Sequence, residues 1–257
     1  QTESPDIYKV SGRGELQMAI LIETMRREGF EFSVSRPEVL FKEVDGVTHE
    51  PVEEVVVDVL TDYSNRVIDN LQKRKGIMTS MSQEGENNRI EFRVPSRGLI
   101  GFRGEMLTET RGTGIMHQQF DAYEPYAGEI PGRTRGALIA LEQGDVTGYA
   151  LEGVQDRGEF FVKPGDPVYA GQVVGQNKRS DDMVVNVVKK KNLTNHRAPQ
   201  TSDSVKLNQA RKLSLEQCIE FIDNDELLEV TPKSLRIRKM HLDHNERKRA
   251  EKQKAGV

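Results

Sequence analysis

Between residues 53 and 126 the apolar pattern alternates between the two periods that regular structure allows. "EEVVVDVL" (53–60) is a buried strand. A helix follows, with Asp62 as a cap candidate, Tyr63, Val67 and Leu71 on one side and Gly76 at its end. "GIMTSMSQ" and "NRIEFRVP" make a hairpin across "EGENN", and "PSRGLIGFRGEMLTETRGTG" (95–114) leads into a last strand, "GIMHQQFDAYEPY". The order strand, helix, strand, strand, helix, strand is the split βαβ, or ferredoxin-like, arrangement. A chain ordered this way has one sheet face to cover with its two helices, so the fold class is α+β.

The flanking stretches differ. "DIYKVSG" alternates as a strand does, and a helix from about Gly14 carries Met18, Leu21, Ile22 and Met25 as a stripe. Gly29 stops it, and "FEFSVSRPEVLFKEV" is extended with a break at Pro37. Strand, helix and strand alone leave a sheet half covered, so residues 1–47 read as a partial ferredoxin-like unit. "GRGEL" (12–16) echoes "FRGEM" (102–106), which makes the two modules related. Residues 48–127 are the complete one.

From 128 to 257 the texture becomes β-rich, with turn signals every few residues, as in a small barrel with one helix. "RGALIALEQGDVTGYALEG" is expected as two strands about a Gly-Asp turn, and "DDMVVNVV" as another strand. "SLEQCIEFIDNDE" is the helix, with Ser214 and Gln217 as a capping box and Leu215, Cys218, Ile219 and Ile222 facing inward. "KSLRIRKM" turns Leu235 and Ile237 in and Arg236 and Arg238 out, and the charged tail is expected to fray.

Formal net charge is −4 over 257 residues, so a footprint for nucleic acid must be local. The single cysteine, Cys218, allows no intrachain disulfide and fits a reduced, cytosolic setting. There is no apolar run of about 18 residues and no signal peptide, and the opening "QTESPDIYKV" reads as a cut from a longer protein.

The glycine ladder Gly98, Gly101, Gly104 admits three readings. A phosphate loop needs G-x-x-x-x-G-K-[ST], which the chain lacks, and a dinucleotide fingerprint needs G-x-G-x-x-G; a G-x-x-G clamp of the KH type fits the spacing but is a weak pattern. As a helix capped by Ser96, the stretch gathers Leu99, Phe102 and Met106 on one side and the glycines on the other. The glycine side then either packs closely against a neighbouring domain or is a bare backbone stripe, edged by Arg97 and Arg103, for a phosphate backbone.

"KKKNLTNHRAPQTSDS" (189–204) is a polar, basic loop. Lysine runs are commonly solvated faces. Here Lys189, Lys190 and Lys191 are mixed with Asn192, Asn195, His196 and Arg197, side chains that hydrogen-bond phosphates, sugars and unstacked bases. Other groups carry less. His241 and His244 lack further metal ligands, Cys218 is core, and Asp156 with Glu159 makes no acid-base pair. "KPGDPVYAGQ" is similar to the turn of lipoyl and biotinyl carriers, but Lys163 precedes the turn.

"VSGRGELQMAILIETMRREGFEFSVSRP" resembles the third domain of translational GTPases related to elongation factor G, and the next module resembles their fifth. "VPSRGLIGFRGEMLTETRGTG", "LEGVQDRGEFFV", "KNLTNHRA" and "EVTPKSLRIRKMHL" resemble the BipA/TypA family of that group, over nearly the whole chain. The resemblance implies a ribosome-binding GTPase of stress adaptation and large-subunit assembly, with a family-specific C-terminal domain placed near the acceptor end of the aminoacyl-site tRNA. It implies GTP and magnesium in N-terminal domains missing here, and no cofactor, membrane or small-molecule partner for this part, which is expected to be a monomer. The RNA-binding residues expected are those of the 189–197 loop together with Arg97, Gly98, Gly101, Arg103 and Gly104. Two rivals stand beside this: a LepA-type GTPase, and a regulatory or cofactor-carrying module built on ferredoxin-like halves, which predicts a concave small-molecule pocket.

Overall fold

A computed structural model describes residues 7–12, 14–130, 132–190 and 206–254. The chain divides into two compact units, one of residues 37–132 and one joining 1–36 to 133–257. It enters through α1 (Glu15–Arg27) and β1 (Phe32–Ser35). Residues 7–12 form no strand, because alternation sets a face but only a neighbour completes a ladder. In α1 the buried residues are Ala19 and Ile22, with Met18 and Met25 half-buried, while Leu21 stays exposed. The stripe is rotated from the one expected.

The unit 37–132 holds β2 (Lys42–Val44), β3 (Val47–Leu60), α2 (Thr61–Lys73), β4 (Ile77–Glu84), β5 (Asn87–Pro95), α3 (Ser96–Leu99), α4 (Phe102–Glu109) and β6 (Ile115–Pro125). Strand β3 lies between β5 and β6, β4 flanks β5, and β2 pairs with the start of β3, all antiparallel. This is the ferredoxin-like order expected. Val55, Val57 and Val59 of β3 and Ile90, Phe92 and Val94 of β5 point to one face. Val67 and Leu71 of α2, Leu99 of α3, and Phe102 and Met106 of α4 cover that face and complete the core. Asp62 sits in the first turn of α2 but does not cap it; Leu60 holds that position.

The other unit continues with β7 (Ala137–Ala140), β8 (Gly144–Asp145), α5 (Gly148–Val154), a 3-10 turn (Gln155–Arg157) and β9 (Gly158–Phe160). Then come β10 (Pro167–Val168), β11 (Gln172–Asn177), β12 (Met183–Val185), α6 (Leu215–Phe221), β13 (Glu226–Val230), β14 (Leu235–Lys239) and α7 (His244–Lys254). One sheet runs β1-β13-β14-β11-β7-β12, with β9 also on β11. Its end strands, β1 and β12, do not pair, so among the described residues the expected barrel is an open sheet. Where a single helix was expected, the described residues form three: α5, α6 and α7.

Strand β7, "ALIA", is buried on both faces. Ala137 and Ile139 join the cluster of Ala19, Ile22, Cys218, Ile219, Leu228 and Ile237, while Leu138 and Ala140 join Val146, Leu151, Phe160 and Val174 on the other side. The Ser214–Gln217 capping box forms as expected. The tail expected to fray is helix α7, whose first turn is capped by the Asp243 carboxylate accepting from the Asn245 and Glu246 N–H groups. No helix among the described residues is long and apolar enough to cross a membrane.

Candidate nucleic-acid interface

The glycine ladder is not one helix. α3 ends at Leu99, and Gly101, at φ 75°, takes the left-handed conformation that starts α4. Ser96 makes no side-chain cap; Pro95 precedes the turn. The break re-phases the two halves, so the bare outward stripe expected of Gly98, Gly101 and Gly104 does not form. Gly98 is buried, and a Cβ there would lie 2.6 Å from the Arg74 carbonyl oxygen. Arg74, from the end of α2, donates to the carbonyls of Gly98 (2.8 Å) and Ile100 (3.0 Å) and to Glu105, and so fastens the break.

Arg97 is committed to the fold as well. Its guanidinium grips both carboxylate oxygens of Glu50, which is 1% exposed, lies over the Tyr126 ring at 4.5 Å, and donates to the Gly128 carbonyl. The Glu50 carboxylate also accepts the Ala127 N–H at 2.7 Å. The Glu50 hydrogen bonds hold the Arg97 guanidinium above its ordinary pKa against the opposing effect of burial. Arg103 is exposed, with one donation to the Met116 carbonyl at 3.3 Å, and Gly104 is half-buried beside it. Of the ladder, Arg103 is the cation that faces solvent.

The basic segment begins at Lys189 and Lys190, both exposed. Lys191, Asn192, Asn195, His196 and Arg197 lie outside the described residues. The two roots of the segment are fixed by α5, where two strands and a Gly-Asp turn were expected. Thr147 caps this helix by accepting the Ala150 N–H, and the same hydroxyl donates to the Lys189 carbonyl at 2.6 Å. The Thr147 N–H adds a bond to the Val187 carbonyl. At the far end of α5, the Gln155 amide donates to the Lys206 carbonyl (3.2 Å) and accepts the Asn208 N–H (3.1 Å). Leu207 packs beneath, with the cluster that includes Leu151. One short helix thus holds both ends of the basic segment. Thr147 and Gln155 escaped the sequence reading; the trace of the first was a Thr-Gly pair, a capping residue before a residue of no helical preference.

A second charged cluster is internal. Lys239, 2% exposed, meets Asp182, Asp225 and Glu226, and Arg133 grips Glu226 through two bonds (2.9 and 3.0 Å) while lying 4.3 Å over the Phe221 ring. Burial alone would raise the Asp182 carboxyl, but the Ala137 N–H, Lys239 and Arg133 hold it below its ordinary value. Burial would likewise lower Lys239, and the three carboxylates raise it instead. Every member has a partner, which marks a structural network. Burial also pushes the Cys218 thiol up to about 12, as befits a core side chain. Glu159 is paired with Arg211 at 3.1 Å. Among the described residues no group of three or more His, Cys, Asp or Glu side chains is placed to hold a metal ion.

Residues 47–134 match the family model described as elongation factor G C-terminus, and residues 135–244 match that of the TypA/BipA C-terminal domain. The large ribosomal subunit assembly factor BipA of Bacillus subtilis (strain 168) is 48% identical over 98% of this chain. Its namesake in Salmonella typhimurium (strain LT2) is 49% identical over 97%, and that of Escherichia coli (strain K12) 48% over 97%. The chain spans 42% of the length of each of these curated relatives.

Proposed function

Because this chain carries the C-terminal region of the TypA/BipA family, with an elongation factor G-type module ahead of it, we propose that it is the part of a translational GTPase that docks on the ribosome through ribosomal or transfer RNA. The relatives are named for assembly of the large ribosomal subunit, and we assign this chain a binding role in that process. GTP and its magnesium belong, in this reading, to sequence outside the chain, since no G-x-x-x-x-G-K-[ST] loop occurs in it.

The observation that carries the reading is the mounting of the basic segment. Lys189 and Lys190 stand exposed at a root pinned by Thr147, and the far root is pinned by Gln155. Lys191 and Arg197 add cations between these roots, with Asn192, Asn195 and His196 as hydrogen-bonding partners for sugar, phosphate or base. In a chain of net charge −4, cations concentrated in one stretch of sequence favour a polyanion by local field. The ribosomal or transfer RNA of the aminoacyl site is the partner we assign. Arg103, with Gly101 and Gly104 beside it, is a secondary contact; Arg97 and Gly98 act behind it by holding the α3–α4 break.

Co-sedimentation with large ribosomal subunits at two salt concentrations tests this. The chain is expected to pellet with subunits at low salt and to leave them as salt rises. Replacing Lys189, Lys190, Lys191 and Arg197 with alanine weakens binding and makes the logarithmic salt slope shallower, by about 0.7–0.9 for each phosphate that is no longer neutralised. An unchanged affinity and slope in that variant would reject the assignment.

A further inference from the structure

Tyr149 lies in the first turn of α5 and is 43% exposed. It stands two residues beyond Thr147, whose hydroxyl holds the Lys189 carbonyl, so an exposed aromatic shares one root with the exposed Lys189 and Lys190. One turn along α5, at i+4, is Gly153, where a Cβ would meet nothing within 4 Å among the described residues. Gly148, the preceding residue, has a Leu207 methyl 3.8 Å from its missing Cβ. Cα–Cβ bonds of a helix tilt toward its N-terminus, so Tyr149 leans toward the end of α5 where Thr147 holds the Lys189 carbonyl. Glu152, exposed at i+3, is the carboxylate nearest along the helix.

We propose that Tyr149 is a stacking platform for an unpaired RNA base whose flanking phosphates lie against Lys189 and Lys190. This rests on the RNA-docking reading above and adds to it a preference for single-stranded over duplex RNA. An aromatic face takes any base, so it contributes affinity without reading sequence. A base within a duplex is already stacked on its neighbours and offers no free face to the ring. The exposure of Tyr149 leaves surface of its ring open to a flat base. Glu152 repels phosphate and Lys189 and Lys190 attract it, so the charges near Tyr149 favour a backbone that runs past the lysines.

The test uses this chain with a short single-stranded RNA carrying 2-aminopurine, and with the same RNA annealed to its complement. Tyr149→Ala is expected to bind the single strand about 5- to 150-fold more weakly, to lose the quenching of 2-aminopurine, and to bind the duplex as wild type does. Tyr149→Phe keeps both affinity and quenching, and both variants melt at the wild-type temperature. Wild-type single-strand affinity in Tyr149→Ala would overturn the proposal, as would equal losses for single strand and duplex. If that happens while Lys189→Ala/Lys190→Ala still weakens binding and flattens its salt slope, the stacking site falls and the RNA-docking reading stands. If wild type binds neither RNA, both fall.

Discussion

Arg97 shows how a residue's apparent chemistry can be spent inside the fold. From the sequence it is a cation beside a glycine ladder, which is the composition of an anion site. In the structure it neutralises Glu50, a carboxylate 1% exposed that also receives the Ala127 N–H. Removing one partner of such a pair strands the other, at a cost of about 3–5 kcal/mol. Arg97→Ala is thus expected to lower the urea midpoint of the 37–132 unit strongly, whereas Glu50→Gln with Arg97→Met, which removes both charges, recovers part of the loss. A midpoint unmoved by Arg97→Ala would show that Glu50 finds solvent or another partner. The pairing was illegible because Glu50 and Arg97 are 47 positions apart and meet only once β3 and the start of α3 are side by side. Gly98 was misread for a related reason. A helical wheel assumes unbroken 100° steps, and the left-handed Gly101 resets the phase.

At the scale of elements, the long periodic segments were legible and the short irregular ones were not. β3, α2 and β5 follow from alternation and from the Val67–Leu71 stripe, because their core is local in sequence, and the exposed β4 follows from the hairpin turn that joins it to β5. α5 was not, since seven residues with glycine at both the first and sixth positions carry no helical periodicity. It exists because Thr147 caps it and because Ala150 and Leu151 have a sheet face to cover. That makes α5 the element on which the basic segment depends. Thr147→Val removes the cap and the bond to the Lys189 carbonyl, and is expected to cost about 1 kcal/mol of stability. Gln155→Ala releases Lys206 and Asn208 with little change in melting, since Gln155 is only half-buried. Both are expected to weaken retention on large ribosomal subunits while leaving its salt slope as in wild type, because every cation remains. A shallower slope in either variant would mean that the bonds at the roots do not merely position the lysines.

At the scale of the whole molecule, chain order and spatial order part company. The sequence presents α1 and β1 as the remnant of a module of its own. In space β1 runs antiparallel to β13, with Phe32 opposite Val230 and Ser35 opposite Leu227, and Arg36 is paired with Asp223 at 3.0 Å. Ala19 and Ile22 of α1 close the cluster formed by Cys218, Ile219, Ile222, Leu228 and Val230. No periodicity reveals a ladder between segments nearly two hundred residues apart, and the alternation of "FSVS" fits either partner. The consequence is a difference in autonomy. Residues 37–132 carry the helices α2, α3 and α4 and all the strands of their own core, so that piece, excised, is expected to unfold cooperatively in urea. Residues 133–257 alone would leave β13 as a bare edge and α6 without its neighbour, exposing apolar area to water and a hydrogen-bonding edge to other chains. A domain's net stability is only about 5–15 kcal/mol, and the loss of a strand and a helix is of that order. The excised 133–257 piece is therefore expected to melt without a cooperative transition or to aggregate, and a peptide of residues 7–36 added in trans is expected to restore a transition. A sharp, concentration-independent melt of 133–257 on its own would show that α1 and β1 lie on a sheet already complete without them.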